Sequence, residues 1–207
     1  MKRILFQGDS ITDADRSRED NRNVGRGYPV LISAELGYEN PGEYEFLNRG
    51  VSGSNVVGLY EKSKKDIINL KPDVISVLIG VNDVWHEIDE QNGVDEEKFY
   101  KIYSMLIEEV KEALPDVKII ILEPFVLKGE ATASHWEYFC RETKKRAAKA
   151  KMIAEKYNLS FVSLQEKFNE AEKRAVSQYW LFDGVHPTSA GHELIKREWI
   201  KVFNAFN

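Results

Sequence analysis

The chain has 207 residues, 43% hydrophobic and 30% charged, with 29 Lys+Arg against 34 Asp+Glu for a formal net charge of −5. With a mean hydropathy of −0.44 this describes one soluble globular domain over residues 1–207, and an acidic pI near 5.5 excludes routine nucleic-acid binding. A lone cysteine, Cys140, excludes an intramolecular disulfide and reads as a small buried hydrophobe in a chain that tolerates reducing surroundings.

Met1-Lys2-Arg3 leads into only four largely apolar residues before Gly8, far short of a signal-peptide core or a membrane span, so a chain complete as given is expected in the cytoplasm. The first β-rich run, Arg3–Phe6, is followed by Gly8-Asp9-Ser10-Ile11-Thr12 and then by a polar tract, Asp13–Arg26, that reads as a functional surface loop. A helix over Tyr28–Leu36 closes at Gly37, and a second strand, Tyr44–Leu47, delivers Asn48-Arg49-Gly50-Val51-Ser52-Gly53-Ser54. Ser54 is placed to cap a helix reaching about Leu70, stopped by Lys71-Pro72. The third strand, Asp73–Ile79, ends on Gly80-Val81-Asn82-Asp83, where Asn82-Asp83 taken alone reads as an Asx turn. A helix over Asp95–Leu114 stops at Pro115, the fourth strand is Val117–Leu122, and the longest helix spans His135–Tyr157. In that helix the basic run Arg141–Lys151, interrupted by alanines, reads as a solvated face. The fifth strand is Leu159–Val162, and Asp183-Gly184-Val185-His186-Pro187 leads into a last helix, Pro187–Phe206, capped by Thr188 or Ser189.

Five strands separated by helices imply repeated βαβ crossovers, and the near-continuous Val/Ile/Leu of the third and fourth strands suits burial on both faces. The expected fold is α/β: a three-layer α/β/α sandwich, flavodoxin-like in order, with a five-stranded parallel sheet. Function in such sheets collects at the carboxyl ends of the strands. The polar clusters at residues 8–12, 48–54 and 80–83 follow the first three strands, and the cluster at 183–187 precedes the last helix.

A serine hydroxyl is a weak nucleophile until a base takes its proton, so Ser10 on its strand-end turn requires a histidine. Of the four histidines only His186 has a carboxylate at close fixed spacing, Asp183 three residues earlier, suited to hold the Nδ1 hydrogen and stabilise an imidazolium. Acyl transfer also needs donors aimed at the developing oxyanion. The backbone N–H groups of Ser10 and Gly53 and the side-chain amide of Asn82 supply three on one rim. Trp85 offers an aromatic wall for a sugar or an acyl chain.

These blocks resemble the SGNH (GDSL) hydrolases, whose Ser, Gly, Asn and His are matched by Ser10 in GDSIT, Gly53 in NRGVSG, Asn82 in GVND and His186 in DGVHP. The resemblance implies the flavodoxin-like sandwich and ester hydrolysis with no metal or other cofactor. It also implies Ser10 as nucleophile, His186 as base, Asp183 as its partner, and Ser10, Gly53 and Asn82 as the oxyanion hole. Ile11 stands where the family's nickname has Leu, a harmless apolar exchange. The strings GVNDVW and DGVHPTSAGHELI are most similar to the bacterial carbohydrate-esterase branch, including intracellular acetylxylan esterases. The loops Asp13–Gly27 and Phe125–Trp136, expected to wall the pocket, match no familiar pattern.

The resulting expectation is a serine esterase acting on short acyl groups, acetate above all, on sugars or oligosaccharides. The alternative is a lysophospholipase or thioesterase-type acylhydrolase; a long acyl chain needs many methylenes held at about 0.8 kcal/mol each, and no long hydrophobic loop is visible. A non-catalytic module of the same fold, or a phospho-accepting one built on Asp9 and Asp83, is the rival from another class. A zinc site is disfavoured because His86-Glu87 opens HEIDE, with Glu90 where a second histidine belongs. A dinucleotide fold is disfavoured because Gly25-Arg26-Gly27 lies in a polar loop. No nucleic-acid or membrane partner is expected, and four Trp, nine Tyr and ten Phe leave material for a homo-oligomer interface.

Overall fold

The computed structural model describes residues 1–205. Five strands, β1 (Lys2–Gly8), β2 (Tyr44–Asn48), β3 (Val74–Leu78), β4 (Lys118–Leu122) and β5 (Ser160–Val162), form one parallel sheet in the order β2-β1-β3-β4-β5. That is the expected doubly wound order, with the switch point between β1 and β3. The pleat sends alternate residues to opposite layers. Ile4, Phe6, Leu78, Ile120 and Leu122 pack with α2 (Tyr28–Glu39), α8 (Gln165–Glu172) and α10 (Ser189–Asn204). Leu5, Ile75, Val77, Ile119 and Ile121 pack with α3 (Val56–Glu61), α6 (Glu96–Ala113) and α7 (Trp136–Lys156). The one polar residue in the middle of β3, Ser76, accepts a bond from the buried Trp199 Nε1 at 3.0 Å, which satisfies both groups.

Several local expectations are corrected. Gly37 does not close α2; the helix runs to Glu39 and stops at Asn40-Pro41, because the residue before a proline is pushed out of the helical region. The helix expected from Ser54 to Leu70 is capped instead by Asn55, which accepts from Val57 N–H and Gly58 N–H. It breaks into α3, a one-turn helix α4 (Ser63–Asp66) and a 3₁₀ turn at Ile68–Leu70. The covered residues Val56, Leu59, Ser63 and Ile67 keep a helical spacing, but the backbone leaves the helical region at Lys62 (φ −98, ψ 2) and again at Ile67 (φ −130, ψ −70).

Asn82-Asp83 is not a free turn but the buried first turn of α5 (Val81–Glu90), whose Val81, Val84, Trp85 and Ile88 follow the helical i, i+3, i+4, i+7 pattern onto the core. The basic run of α7 is only partly a solvated face. Arg146 is 3% exposed, paired with Glu142 and donating to the Val94 carbonyl. Cys140 is exposed rather than buried, because it falls off the stripe made by Phe139, Thr143, Arg146, Ala147 and Ala150. The last helix begins at Ser189 with Thr188 as its cap, Thr188 Oγ1 accepting from Gly191 N–H at 3.3 Å; Phe206 lies outside the described residues. Among the described residues no helix is long and apolar enough to cross a membrane.

Candidate active site

β1 ends in a tight turn in which Asp9 Oδ1 accepts from Ile11 N–H at 3.0 Å, capping the single turn α1 (Ser10–Asp13). This sets Ser10 at the carboxyl end of the sheet beside the switch point, with its Oγ 2.8 Å from His186 Nε2. His186 arrives from a second tight turn. Leu181 pairs with Pro187, Phe182 N–H donates to His186 O at 3.0 Å, and Asp183 Oδ1 accepts from Val185 N–H at 2.9 Å and His186 N–H at 2.8 Å. The other carboxylate oxygen, Oδ2, lies 2.6 Å from His186 Nδ1. A carboxylate only accepts, so Nδ1 carries the hydrogen and the Nε2 lone pair faces the serine hydroxyl.

The charges follow from this wiring. Hydrogen bonding to Asp183 holds the His186 pKa above the ordinary imidazole value, against burial, with further support from the charges of Asp183 and Asp9. Burial pushes the Asp183 carboxyl up, but its bonds from His186 and Val185 outweigh that and leave it below the usual carboxylate range. Behind Ser10 lie two fully buried acids. Burial raises Asp9 to about 7, and its Oδ2 has no hydrogen-bond partner. Burial likewise raises Asp83 to about 7, although both its oxygens accept from Val56 N–H, at 3.1 and 3.3 Å.

The segment after β2 is tied to the same turn. Val51–Ser54 is a turn closed by Ser54 N–H to Val51 O at 3.0 Å, with Gly53 at φ +78, the left-handed third position that favours glycine. Asn82 Nδ2 donates to Ser54 O at 3.0 Å, linking the end of β3 to this turn and leaving its second amide hydrogen. Val51 N–H donates to Gly8 O, and Gly50 passes so close to α1 that a Cβ there would stand 2.4 Å from Asp13 N. Asp13 completes the connection. Its Oδ2 accepts from Ser52 N–H at 3.0 Å, Ser52 Oγ at 3.1 Å and Arg18 at 2.6 Å. Sequence reasoning left Asp13 inside an unassigned loop.

Ser10 and His186 open on a cleft of about 410 Å³ that is also lined by Ala14, Asp15, Arg26, Phe182 and His192. The loop Asp13–Gly27 therefore does wall the pocket. The loop Phe125–Trp136 does not contribute to this lining; it braces the Asp183 turn from behind, with Leu127 N–H on Gly184 O and Ala131 N–H on Asp183 O, both at 2.9 Å. Trp85 packs edge-on against Phe139, ring centroids 5.7 Å apart, and stands 6.0 Å from the His186 ring without lining the cleft. The exposed aromatic in the lining is Phe182, which sequence reasoning missed; its place directly before Asp183 was the available signal. Among the described residues no group of three His, Cys, Asp or Glu side chains is arranged to hold a metal ion.

A serine, an imidazole and a carboxylate in this order can transfer an acyl group. The comparisons with known proteins agree in kind. Over 97% of this chain and 93% of the relative, the sequence is 32% identical to an acetylxylan esterase of Geobacillus stearothermophilus. The crystal structure of that organism's acetylxylan esterase Axe2 superposes with a TM-score of 0.86, at 31% identity over 97% of this chain and 93% of the other. Serine-to-alanine and aspartate-to-alanine variants of Axe2 are described as catalytic mutants. A GDSL-like lipase structure from Parabacteroides merdae superposes with a TM-score of 0.91, at 35% identity over 98% of this chain and 95% of the other. Residues 6–194 match the model of the GDSL-like lipase/acylhydrolase family, and the chain belongs to that family.

Proposed function

We propose that the protein is a serine esterase that removes acetyl groups from sugars or short oligosaccharides. The observation that carries the reading is the continuous relay Ser10 Oγ, His186 Nε2, His186 Nδ1 and Asp183 Oδ2, at 2.8 and 2.6 Å, opening on a polar cleft. In the reaction Ser10 Oγ attacks the ester carbonyl carbon while its proton passes to His186, and Asp183 stabilises the imidazolium. The oxyanion takes hydrogen bonds from Ser10 N–H, Gly53 N–H and the remaining Asn82 amide hydrogen. Collapse expels the sugar hydroxyl with the proton from His186, and a water repeats the sequence to release acetate and restore Ser10.

Asp13 is the positioning residue in this scheme, because one carboxylate oxygen of α1 holds both polar hydrogens of Ser52, next to Gly53. Asp13→Asn is expected to lower kcat roughly 10- to 100-fold through misplacement of that N–H, with KM nearly unchanged. Steady-state kinetics with a circular-dichroism control checks it; a change confined to KM contradicts the assignment.

The lining supports a short acyl group: Ile11, Ala14, Phe182 and Pro187 are interspersed with Asp15, Arg26, Ser52, Ser189 and His192, a mixed wall rather than the continuous apolar one that a lysophospholipase or thioesterase needs to hold a long chain at about 0.8 kcal/mol per methylene. The phospho-accepting alternative finds no exposed acceptor, since Asp9 is 1% and Asp83 0% exposed. The exposed free thiol of Cys140 suits a reducing compartment, which makes short acetylated oligosaccharides in the cytoplasm the favoured substrates. The test is kcat/KM on p-nitrophenyl acetate, p-nitrophenyl octanoate and acetylated xylo-oligosaccharides. Acetate is expected to exceed octanoate and the sugar acetates to be cleaved; a preference for octanoate, or inert sugar acetates beside active p-nitrophenyl acetate, overturns the reading.

A further inference from the structure

The cleft contains an aromatic ring that the acyl-transfer chemistry does not use. Phe182 is 56% exposed, yet it is held firmly. Its ring lies nearly parallel to that of His186, with centroids 5.6 Å apart and an interplanar angle of 18°, and its N–H is bonded to His186 O. One ring face is thus occupied by the imidazole, and the exposed surface belongs to the opposite face and the edge. A large apolar ring held open to water beside a reactive histidine invites a ligand with an apolar face.

The same cleft also carries an ion pair. Asp15 and Arg26 meet at 2.6 Å, their side chains 70% and 82% exposed. They are fixed by an uncommon backbone: Ala14 and Asp15 both take left-handed conformations, φ 39 and 59, and Arg26 N–H closes the loop onto Ala14 O at 2.8 Å. Two consecutive non-glycine residues in that region store strain, which is tolerated where the surroundings hold a functional geometry. His192 adds one more donor. Its Nδ1 accepts from Tyr28 N–H at 3.0 Å, so the neutral ring keeps its hydrogen on Nε2.

An apolar platform, a carboxylate, a guanidinium fork and a ring N–H in one cleft match a pyranose, which has a C–H-rich face and a rim of hydroxyls that both donate and accept. A fatty chain uses only the first of these, and an ethyl group reaches none of the second. The geometry points to a sugar-binding subsite in which the Phe182 ring stacks on the pyranose that carries the acetyl group, while Asp15 and Arg26 bond its hydroxyls. This rests on the sugar-ester reading above and deepens it, by naming the side chains that select the alcohol half of the ester.

The test compares wild type, Phe182→Ala and Phe182→Trp on two acetates, an acetylated xylo-oligosaccharide and ethyl acetate. Phe182→Ala is expected to raise KM for the sugar ester about tenfold with kcat nearly unchanged, and to lower kcat/KM for the sugar ester by a factor several times larger than that for ethyl acetate. Phe182→Trp restores the sugar KM. Equal losses on both esters mean that the ring only steadies His186 and overturn the inference, as does an unchanged sugar KM. Where wild type cleaves sugar acetates and Phe182→Ala cleaves them equally well, only the subsite falls. A wild type that cleaves ethyl acetate and no sugar acetate removes the sugar-ester reading itself.

Discussion

Ser10→Ala is expected to lower kcat on any ester by about 10⁴- to 10⁶-fold while leaving the melting temperature and circular dichroism unchanged. The loss is large because the hydroxyl is the only group removed and, in the proposed mechanism, its oxygen forms the covalent bond; what survives there is the binding and oxyanion contribution. Folding is spared for local reasons. Ser10 Oγ contacts the His186 ring, whereas α1 is capped by Asp9, and alanine is a better helix former than serine. A serine-directed organophosphonate followed by intact-mass analysis gives a second readout: wild type gains the adduct and Ser10→Ala does not. A variant that keeps even about one hundredth of wild-type kcat contradicts Ser10 as nucleophile.

Asp183→Asn is expected to act on both the height and the position of the pH profile. In the proposed mechanism only neutral His186 can take the serine proton, so kcat/KM is expected to fall as pH drops through the imidazole pKa, which Asp183 holds above the ordinary 6.5. Without the carboxylate, burial pushes the imidazole down and only the charge of Asp9 opposes it, so the acid limb moves to lower pH. The plateau meanwhile drops by about 10²- to 10⁴-fold, because an asparagine no longer stabilises the imidazolium or enforces the Nδ1–H tautomer. Measuring kcat/KM against pH for wild type and variant on one ester checks both effects. A lower plateau with an unshifted midpoint means that the carboxylate does not set the His186 pKa.

The strands were legible because a central parallel strand is apolar on both faces, and Val74–Leu78 and Lys118–Leu122 carry that signal, interrupted only by Ser76 and by Lys118 at the strand's start. Asp183 and His186 were legible because their partnership is local: three residues on one turn bring side chain to side chain. Asp13 was not, since its partner Ser52 stands 39 residues away and nothing in a polar loop announces it. Phe182 was hidden by the same difficulty in another form; its position beside Asp183 was visible, but whether a ring packs inward or lies open depends on the fold around it. Cys140 and Arg146 show residue type losing to helix phase. The thiol falls on the outer face of α7 and the guanidinium on the inner one, where Glu142 and the Val94 carbonyl satisfy it. Gly37 and the tract from Ser54 to Leu70 failed for a simpler reason, namely that packing and the next proline, rather than single-residue preference, decide where a helix ends.

The hydrogen bond between Ser10 and His186 spans 176 positions of the chain. In the proposed mechanism the serine, made early in synthesis, has no base to activate it until the turn that holds Asp183 and His186 has been made and has docked at the switch point. Contacts of such sequence separation form late and slowly. Hydrolysis is therefore an all-or-none report on completed folding, and the recovery of activity after dilution from denaturant should lag behind the recovery of helical signal.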